Sequence, residues 1–172
     1  MAYSIVKKFF LLLFFLETWL IPIPTFLPTP VETKSISISE NQRIGLIKIN
    51  KINLIQPLYK VGSEENTIEK NVTILKESSS PEEENSILIL AAHSGTGKIA
   101  YFENLDQLEI QDEVEITYNK KTYYYEVKEI WEEKKNGFIH INKEDKKQLI
   151  LTTCSPKKED YQLIVNCIEK KS

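Results

Sequence analysis

Two side chains capable of nucleophilic chemistry stand at the ends of apolar runs in this sequence. Cys154 ends the run QLILTTC (148–154), and His93 ends the run SILILAAH (86–93), just before a Ser-Gly-Thr-Gly turn. A cysteine thiolate attacks carbonyl carbons, and a nearby imidazole favours the thiolate and later protonates a departing amine. A lone thiol is more commonly a buried structural residue, so Cys154 alone would indicate little. Together with His93, it predicts acyl transfer by a cysteine nucleophile.

The second cysteine, Cys167, lies too far along the predicted strands to form a disulfide with Cys154. If 148–154 and 162–168 are neighbouring antiparallel strands, Cys154 lies opposite Gln162, and Cys167 is five residues further on. At about 3.3 Å per residue the separation is about 16 Å, well beyond the ~7 Å limit between the Cα atoms of a disulfide. We expect a free thiol at Cys154 and a buried core position for Cys167.

Strand patterns dominate the chain from Arg43 onwards. Runs rich in β-branched and aromatic residues predict strands at 44–50, 53–59, 86–93, 113–118, 121–131, 148–154 and 162–168. Apolar residues with a helical period predict short crossover helices at 65–75 and 99–108. Many short strands, with helices confined to connections, predict a mainly β domain folded as a closed or nearly closed barrel, because closure removes exposed sheet edges.

The N-terminal segment has the composition of a membrane anchor. Lys7 and Lys8 precede the apolar run FFLLLFFL, and no A-x-A-like site follows, which favours retention over the alternative of a cleaved signal peptide. The two lysines place the tip in the cytoplasm and the remainder outside. We therefore divide the chain into a cytoplasmic tip with a transmembrane anchor (1–21), a proline-rich and polar stalk (22–42) and an extracellular catalytic domain (43–172).

Four segments, in the same order, resemble the sortases of Gram-positive bacteria, especially the small members of classes A and D. The segments are IGLIKINKINLIQPLY (44–59), LAAHSG (90–95), YFENLDQLEIQDEVEI (101–116) and LTTC (151–154). The third segment has Gln111 where the family usually has glycine. The resemblance implies the eight-stranded sortase β-barrel, with short connecting helices and an N-terminal membrane anchor.

The same resemblance implies a two-step transpeptidation at the cell membrane. Cys154 would cleave an LPXTG-like sorting motif in a secreted protein, with His93 as its acid–base partner. The thioester product would pass to an amine of a lipid-linked peptidoglycan precursor or of a pilin. The resemblance also implies substrate contacts by Ser94, Thr152 and Thr153, although turn formation explains Ser94 equally well.

Gln162 departs from the family pattern, in which an arginine at this position stabilises the oxyanion or positions the substrate. Glutamine keeps two N–H donors but lacks the positive charge, so we expect Gln162 to act as a weaker oxyanion donor. Lys157 and Lys158 in the preceding loop are candidates to compensate, although solvated surface lysines are the simpler interpretation. The missing arginine leaves open a degenerate sortase-like domain that binds surface proteins without efficient catalysis.

Other functional classes find little support in the sequence. The 22 basic and 25 acidic residues give a net charge of −3, which is unlike a nucleic-acid binder. A papain-like protease requires the cysteine before the histidine and on a helix. Here His93 comes first, and both residues end strand-like runs. We expect no cofactor: the acidic runs at 82–84 and 132–133 are candidates for calcium, which activates some sortases, but such runs are usually only solvated. His140 is expected to be a surface or rim histidine.

Overall fold

The computed structural model of the protein describes residues 42–170. The predicted anchor (1–21) and the predicted stalk, apart from its last residue, lie outside the described residues. Within residues 42–170, no helix is long and apolar enough to cross a membrane.

Eight strands form a single sheet, and the seven predicted strands are all among them. The strands are β1 (Arg43–Ile49), β2 (Leu54–Tyr59), β3 (Thr73–Ile74), β4 (Ile87–Ala91), β5 (Glu113–Tyr118), β6 (Lys121–Lys134), β7 (Gln148–Cys154) and β8 (Tyr161–Glu169). The sequence did not predict β3, because two residues are too few to show an alternating pattern. β6 continues past the predicted end at residue 131, which brings its last residues level with the end of β7.

The strand order is β2-β1-β5-β6-β8-β7-β4-β3. Neighbouring strands are antiparallel except β4 and β7, which are parallel. The two edge strands, β2 and β3, also contact each other, so the sheet nearly closes on itself. This confirms a mainly β fold built as an eight-stranded, nearly closed barrel.

The prediction of a crossover helix at 65–75 is wrong. The segment forms successive turns and ends in β3. Asn66 donates from Nδ2 to the carbonyl of Ile74 (2.9 Å) and accepts from the Ile74 backbone N–H (2.8 Å), which closes the segment into a loop. Asparagine side chains compete with helical hydrogen bonds in this way, and the apolar spacing alone did not reveal it.

The second predicted helix, at 99–108, is replaced by turns and the short 3-10 helix Leu105–Gln107. Backbone N–H groups of Leu105 and Leu108 donate to carbonyls three residues earlier. The buried residues Phe102, Leu105 and Leu108 recur every three positions, which matches the three residues per turn of a 3-10 helix. The connections between strands are therefore turns and 3-10 helices rather than the α-helices expected.

Two apolar clusters lie on opposite faces of the sheet. The larger fills the barrel interior, and Leu149 and Leu151 of β7 belong to it. The smaller, which we call the outer cluster, is made of Ile89, Ile150, Ile164, Leu75, Ile87, Trp131, Ile139 and Ile141. β7 is thus buried on both faces up to Thr153, and Cys154 is its first exposed residue.

Candidate active site

Cys154 is the last residue of β7, and its side chain points to the same face of the sheet as Ile150 in the outer cluster, because side chains alternate along a strand. It is a free, exposed cysteine, as predicted. Cys167 pairs with Leu149, five positions along the ladder from Cys154, and is fully buried. Burial raises the pKa of the Cys167 thiol, so Cys167 stays protonated and unreactive. Of the two cysteines, Cys154 is therefore the one accessible to a substrate.

His93 comes beside Cys154 through the parallel pairing of β4 with β7. Ala91 is level with Thr152 in this pair. Two residues further along each chain are His93 and Cys154, which therefore meet at the same edge and on the same face. Adjacent strands are about 4.8 Å apart, a spacing that an imidazole and a thiol can bridge. Half-buried His93 and exposed Cys154 both border a single cavity.

Two hydrogen bonds to β7 and one from Phe102 hold the backbone around His93 in place. The Ala92 N–H donates to the Thr152 carbonyl (3.3 Å), which continues the ladder past the end of β4. Thr153 Oγ1 donates to the Ala92 carbonyl (2.7 Å), and both residues are buried. On the other side, the N–H of buried Phe102 donates to the His93 carbonyl (3.0 Å).

The cavity at this edge has a volume of about 210 Å³. Its lining residues are Ile68, Ala91, Ala92, His93, Lys135, Thr152, Thr153, Cys154 and Gln162. Five of the six residues predicted for the site therefore lie together. The sixth, Ser94, follows His93 in the turn and is not among the lining residues. Thr153 borders the cavity, but its hydroxyl is already used to bind the Ala92 carbonyl.

Gln162 is directly opposite Cys154 in the β7–β8 ladder, as the sequence predicted. Its amide group, however, points to the end of β6 and to the loop that follows. Nε2 donates to Glu133 Oε1 (3.0 Å) and to the Phe138 carbonyl (2.7 Å). Both amide protons are therefore occupied. One is bound by the Glu133 carboxylate at the end of β6, and the other by the Phe138 carbonyl in the β6–β7 loop. In this arrangement Gln162 supports the loop and has no N–H left for an oxyanion.

Glu133 is the centre of this small network. Its Oε2 is 2.9 Å from His140 Nδ1, and its Oε1 accepts from the His140 backbone N–H (3.2 Å). Burial alone would raise the pKa of the Glu133 carboxyl, but the hydrogen bonds from His140 and Gln162 together outweigh it, so the pKa lies below its ordinary value. The ring of His140 is largely exposed, in agreement with the rim position predicted for it.

Neither Lys157 nor Lys158, the candidates to compensate for the missing charge, lines the cavity. Lys158 Nζ forms an ion pair with Glu132 Oε2 (3.0 Å). The Lys157 backbone N–H donates to Ser155 Oγ (3.0 Å), which shapes the loop after the nucleophile. The hydrogen bond from Ser155 and the pairing with Lys158 lower the pKa of the Glu132 carboxyl.

Lys135 also lines the cavity, although no sequence pattern indicated it. It follows β6 directly, and its backbone N–H donates to the Asp160 carbonyl in the loop between β7 and β8 (2.8 Å). The run EEKKNG (132–137) resembles any solvated charged turn, so its composition gave no sign of a functional residue. Only the strand alternation, counted forward two residues from Glu133 opposite Gln162, could have placed Lys135 on the face of Cys154.

The acidic runs considered for calcium have other partners. Glu82 accepts from Asn119 Nδ2 (3.1 Å), while Glu132 and Glu133 bind the side chains described above. Among residues 42–170, no group of three or more His, Cys, Asp or Glu side chains is arranged to hold a metal ion.

Comparison with known protein families matches residues 47–169 to the family described as "Sortase domain". Sortase A from Corynebacterium diphtheriae (lid mutant) is 26% identical with a TM-score of 0.66, covering 75% of this chain and 70% of that chain. Sortase C1 from Streptococcus agalactiae is 28% identical (TM-score 0.67, 78% and 71% covered). Sortase C from Streptococcus pneumoniae, whose description mentions pilin substrate specificity, is 25% identical (TM-score 0.66, 76% and 68%). No curated protein sequence matches.

Proposed function

Because the chain belongs to the sortase family, we propose that it is a cysteine transpeptidase in which Cys154 is the nucleophile and His93 its acid–base partner. The substrate is the LPXTG-like sorting motif of a secreted protein. The observation that carries this proposal is that Cys154 and His93, 61 residues apart in the sequence, border one cavity at the shared edge of β4 and β7.

The reaction follows from the chemistry of these two groups. The Cys154 thiolate forms a C–S bond with the Thr-Gly carbonyl carbon, and the C–N bond breaks as His93 protonates the leaving amine. A thioester on Cys154 remains. His93 then takes a proton from the incoming amine, which forms a new C–N bond and releases the thiolate. Atoms and charge balance over the two steps, so no cofactor is required.

Any primary amine fits the chemistry of the second step. We propose a pilin lysine or the cross-bridge of a lipid-linked peptidoglycan precursor. The similarity to a sortase C whose description refers to pilin substrate specificity supports the pilin. Such substrates are at the cell surface, so the proposal includes membrane attachment through residues 1–21 and an extracellular domain.

The decisive experiment is incubation with an LPXTG peptide and an amine, followed by mass spectrometry. We expect a thioester adduct on Cys154, transfer of the acyl group to the amine, and no reaction with Cys154→Ala. Cys154 is exposed at a strand end, so the Cys154→Ala protein should keep its thermal unfolding midpoint. Full activity of Cys154→Ala would overturn the proposal.

A second candidate is a sortase-like domain that binds sorting signals without processing them. The occupied amide of Gln162 favours it, because one expected oxyanion donor is then missing. The same experiment separates the two functions. A peptide that binds but leaves Cys154 unmodified would establish the second, whereas an adduct that forms and is resolved by the amine would establish the first.

A further inference from the structure

We propose that Lys135 is a catalytic residue whose ammonium group stabilises the oxyanion formed when the Cys154 thiolate attacks a carbonyl. This inference rests on the acyl transfer proposed above. Acyl transfer puts negative charge on the carbonyl oxygen of the substrate. Gln162 offers this oxygen no side-chain donor, because both of its amide N–H groups are bound to Glu133 and Phe138. Preorganised donors or cations at that oxygen are usually the largest single contribution to such reactions.

Strand alternation places Lys135 on the face where the oxyanion forms. Glu133 pairs with Gln162, and Gln162 pairs with Cys154, so these three side chains share one face of the sheet. Lys135 is two residues beyond Glu133 and returns to that face, whereas Lys134 points to the opposite one. The hydrogen bond from the Lys135 N–H to the Asp160 carbonyl (2.8 Å) keeps the backbone in line with the strand.

Charge also distinguishes Lys135 from its neighbours. Within residues 42–170, Lys135 and His93 are the lining residues of the cavity that can carry a positive charge. Lys158 is paired with Glu132. The ion pairs found in the described part of the chain involve other lysines and His140, so the Lys135 ammonium keeps its charge available to a substrate.

The role needs no proton transfer from Lys135. As the C–S bond forms, the π electrons of the C=O bond move to oxygen, and the ammonium group donates a hydrogen bond to that charge. When the C–N bond breaks, the electrons return and the contact weakens. Lysine is suited to this because it is a point charge with three donors on a flexible stem. Its exposure reduces the gain, since water screens the interaction.

Two small reagents separate this role from others. p-Nitrophenyl acetate acylates a thiolate through a tetrahedral oxyanion, whereas iodoacetamide alkylates it by displacement, without an oxyanion. Both act on Cys154 whatever the sorting motif is, and buried Cys167 does not compete. The acylation rate of each variant is divided by its alkylation rate at the same pH, so that any difference in the ionised fraction of the thiol cancels.

For Lys135→Gln we expect acylation to slow by about 10-fold to 100-fold, below the loss seen for a buried oxyanion donor because Lys135 is solvated. Alkylation should stay within about twofold of the wild type, as expected for a solvated charge. Lys135→Arg should retain most of the acylation rate. The matched control is Lys134→Gln, which removes the same charge on the other face and should behave as the wild type.

Two results would overturn the assignment. Unchanged acylation in Lys135→Gln would show that the ammonium does not contact the oxyanion, and an equal loss of acylation and alkylation would show that Lys135 only activates the thiol. Failure of the proposed function has a different outcome: the wild type would not cleave an LPXTG peptide, whatever its rates with the two reagents.

Discussion

Thr153 Oγ1 donates a 2.7 Å hydrogen bond to the carbonyl of Ala92, across the parallel pair of β7 and β4. Each of these residues immediately precedes a reactive one, Cys154 or His93. Both are buried, so water does not compete for the bond. The strand ends that carry Cys154 and His93 are thus joined by one side-chain hydrogen bond in addition to the strand ladder.

Thr153→Val should uncouple the two strand ends. The change keeps the shape of the side chain but leaves the buried Ala92 carbonyl without this donor, at a cost of about 1–3 kcal/mol in the free energy of unfolding. We expect acyl transfer to fall by about 10-fold, because small misplacements of reacting groups are costly. Urea denaturation and steady-state kinetics measure the two effects. Thr153→Ser is the matched control, because it keeps the hydroxyl donor and should keep both the stability and the acyl-transfer rate of the wild type. Wild-type activity in Thr153→Val would contradict the coupling.

Gln162→Arg should do little by itself, although it introduces the guanidinium that the resemblance to sortases led us to expect. The Gln162 amide is 3.0 Å from Glu133 Oε1, so an arginine there would pair with that carboxylate. Combining Gln162→Arg with Glu133→Gln removes the competing charge, and turnover of an LPXTG peptide should then rise by about 10-fold. A single substitution as active as the double one would show that Glu133 does not capture the introduced group.

The anchoring of the β6–β7 loop by Glu133 should depend on pH. The pKa of this carboxyl lies below its ordinary value of 4.5 in the folded protein. Its ionised form therefore stabilises the folded state above pH 4.5, and this contribution is lost as the pH falls through the lower, folded-state pKa. Hydrogen exchange of residues 136–141 should lose protection in that acid range. Glu133→Gln should abolish the transition, whereas Glu129→Gln, an exposed glutamate on the same strand, should preserve it.

Gln111→Gly should stabilise the protein. Gln111 is exposed and has φ of 78°, a left-handed conformation that costs a residue with a Cβ about 1–2 kcal/mol. Glycine adopts this conformation freely, but it loses more backbone entropy on folding, which leaves a net gain of about 0.5–1 kcal/mol. The thermal unfolding midpoints of Gln111→Gly and Gln111→Ala measure this gain. Alanine is the control because its Cβ keeps the cost of the left-handed conformation. Equal midpoints would show that the conformation is not strained.

The glycine that sortases usually have at this position thus has a local explanation, which the sequence alone did not provide. The backbone N–H of Gln111 donates to the Val127 carbonyl (2.9 Å), and the Val127 N–H donates to the Asp112 carbonyl (2.8 Å). These two bonds join the start of β5 to β6 and hold the turn in its left-handed form.

The sequence by itself predicted seven of the eight strands described and placed Cys154 and His93 at the ends of apolar runs. Alternation and β-branched composition are local properties, so seven strands were found close to their observed ends. Strand termini also showed that Cys154 and His93 would be presented at an edge, and residue spacing placed Gln162 opposite Cys154 and Cys167 far from it.

Only the tertiary structure decided what these side chains contact. The amide of Gln162 is bound by groups 29 and 24 residues away, and Lys135 joins the cavity because β6 runs past its predicted end beside β8. The two segments with helical spacing became turns because Asn66 bonds to the Ile74 backbone in the first, while backbone N–H groups in the second donate to carbonyls three residues earlier. Strand periodicity depends on near neighbours, whereas the direction of a polar side chain depends on which distant acceptors the fold brings within 3 Å, roughly the length of one hydrogen bond.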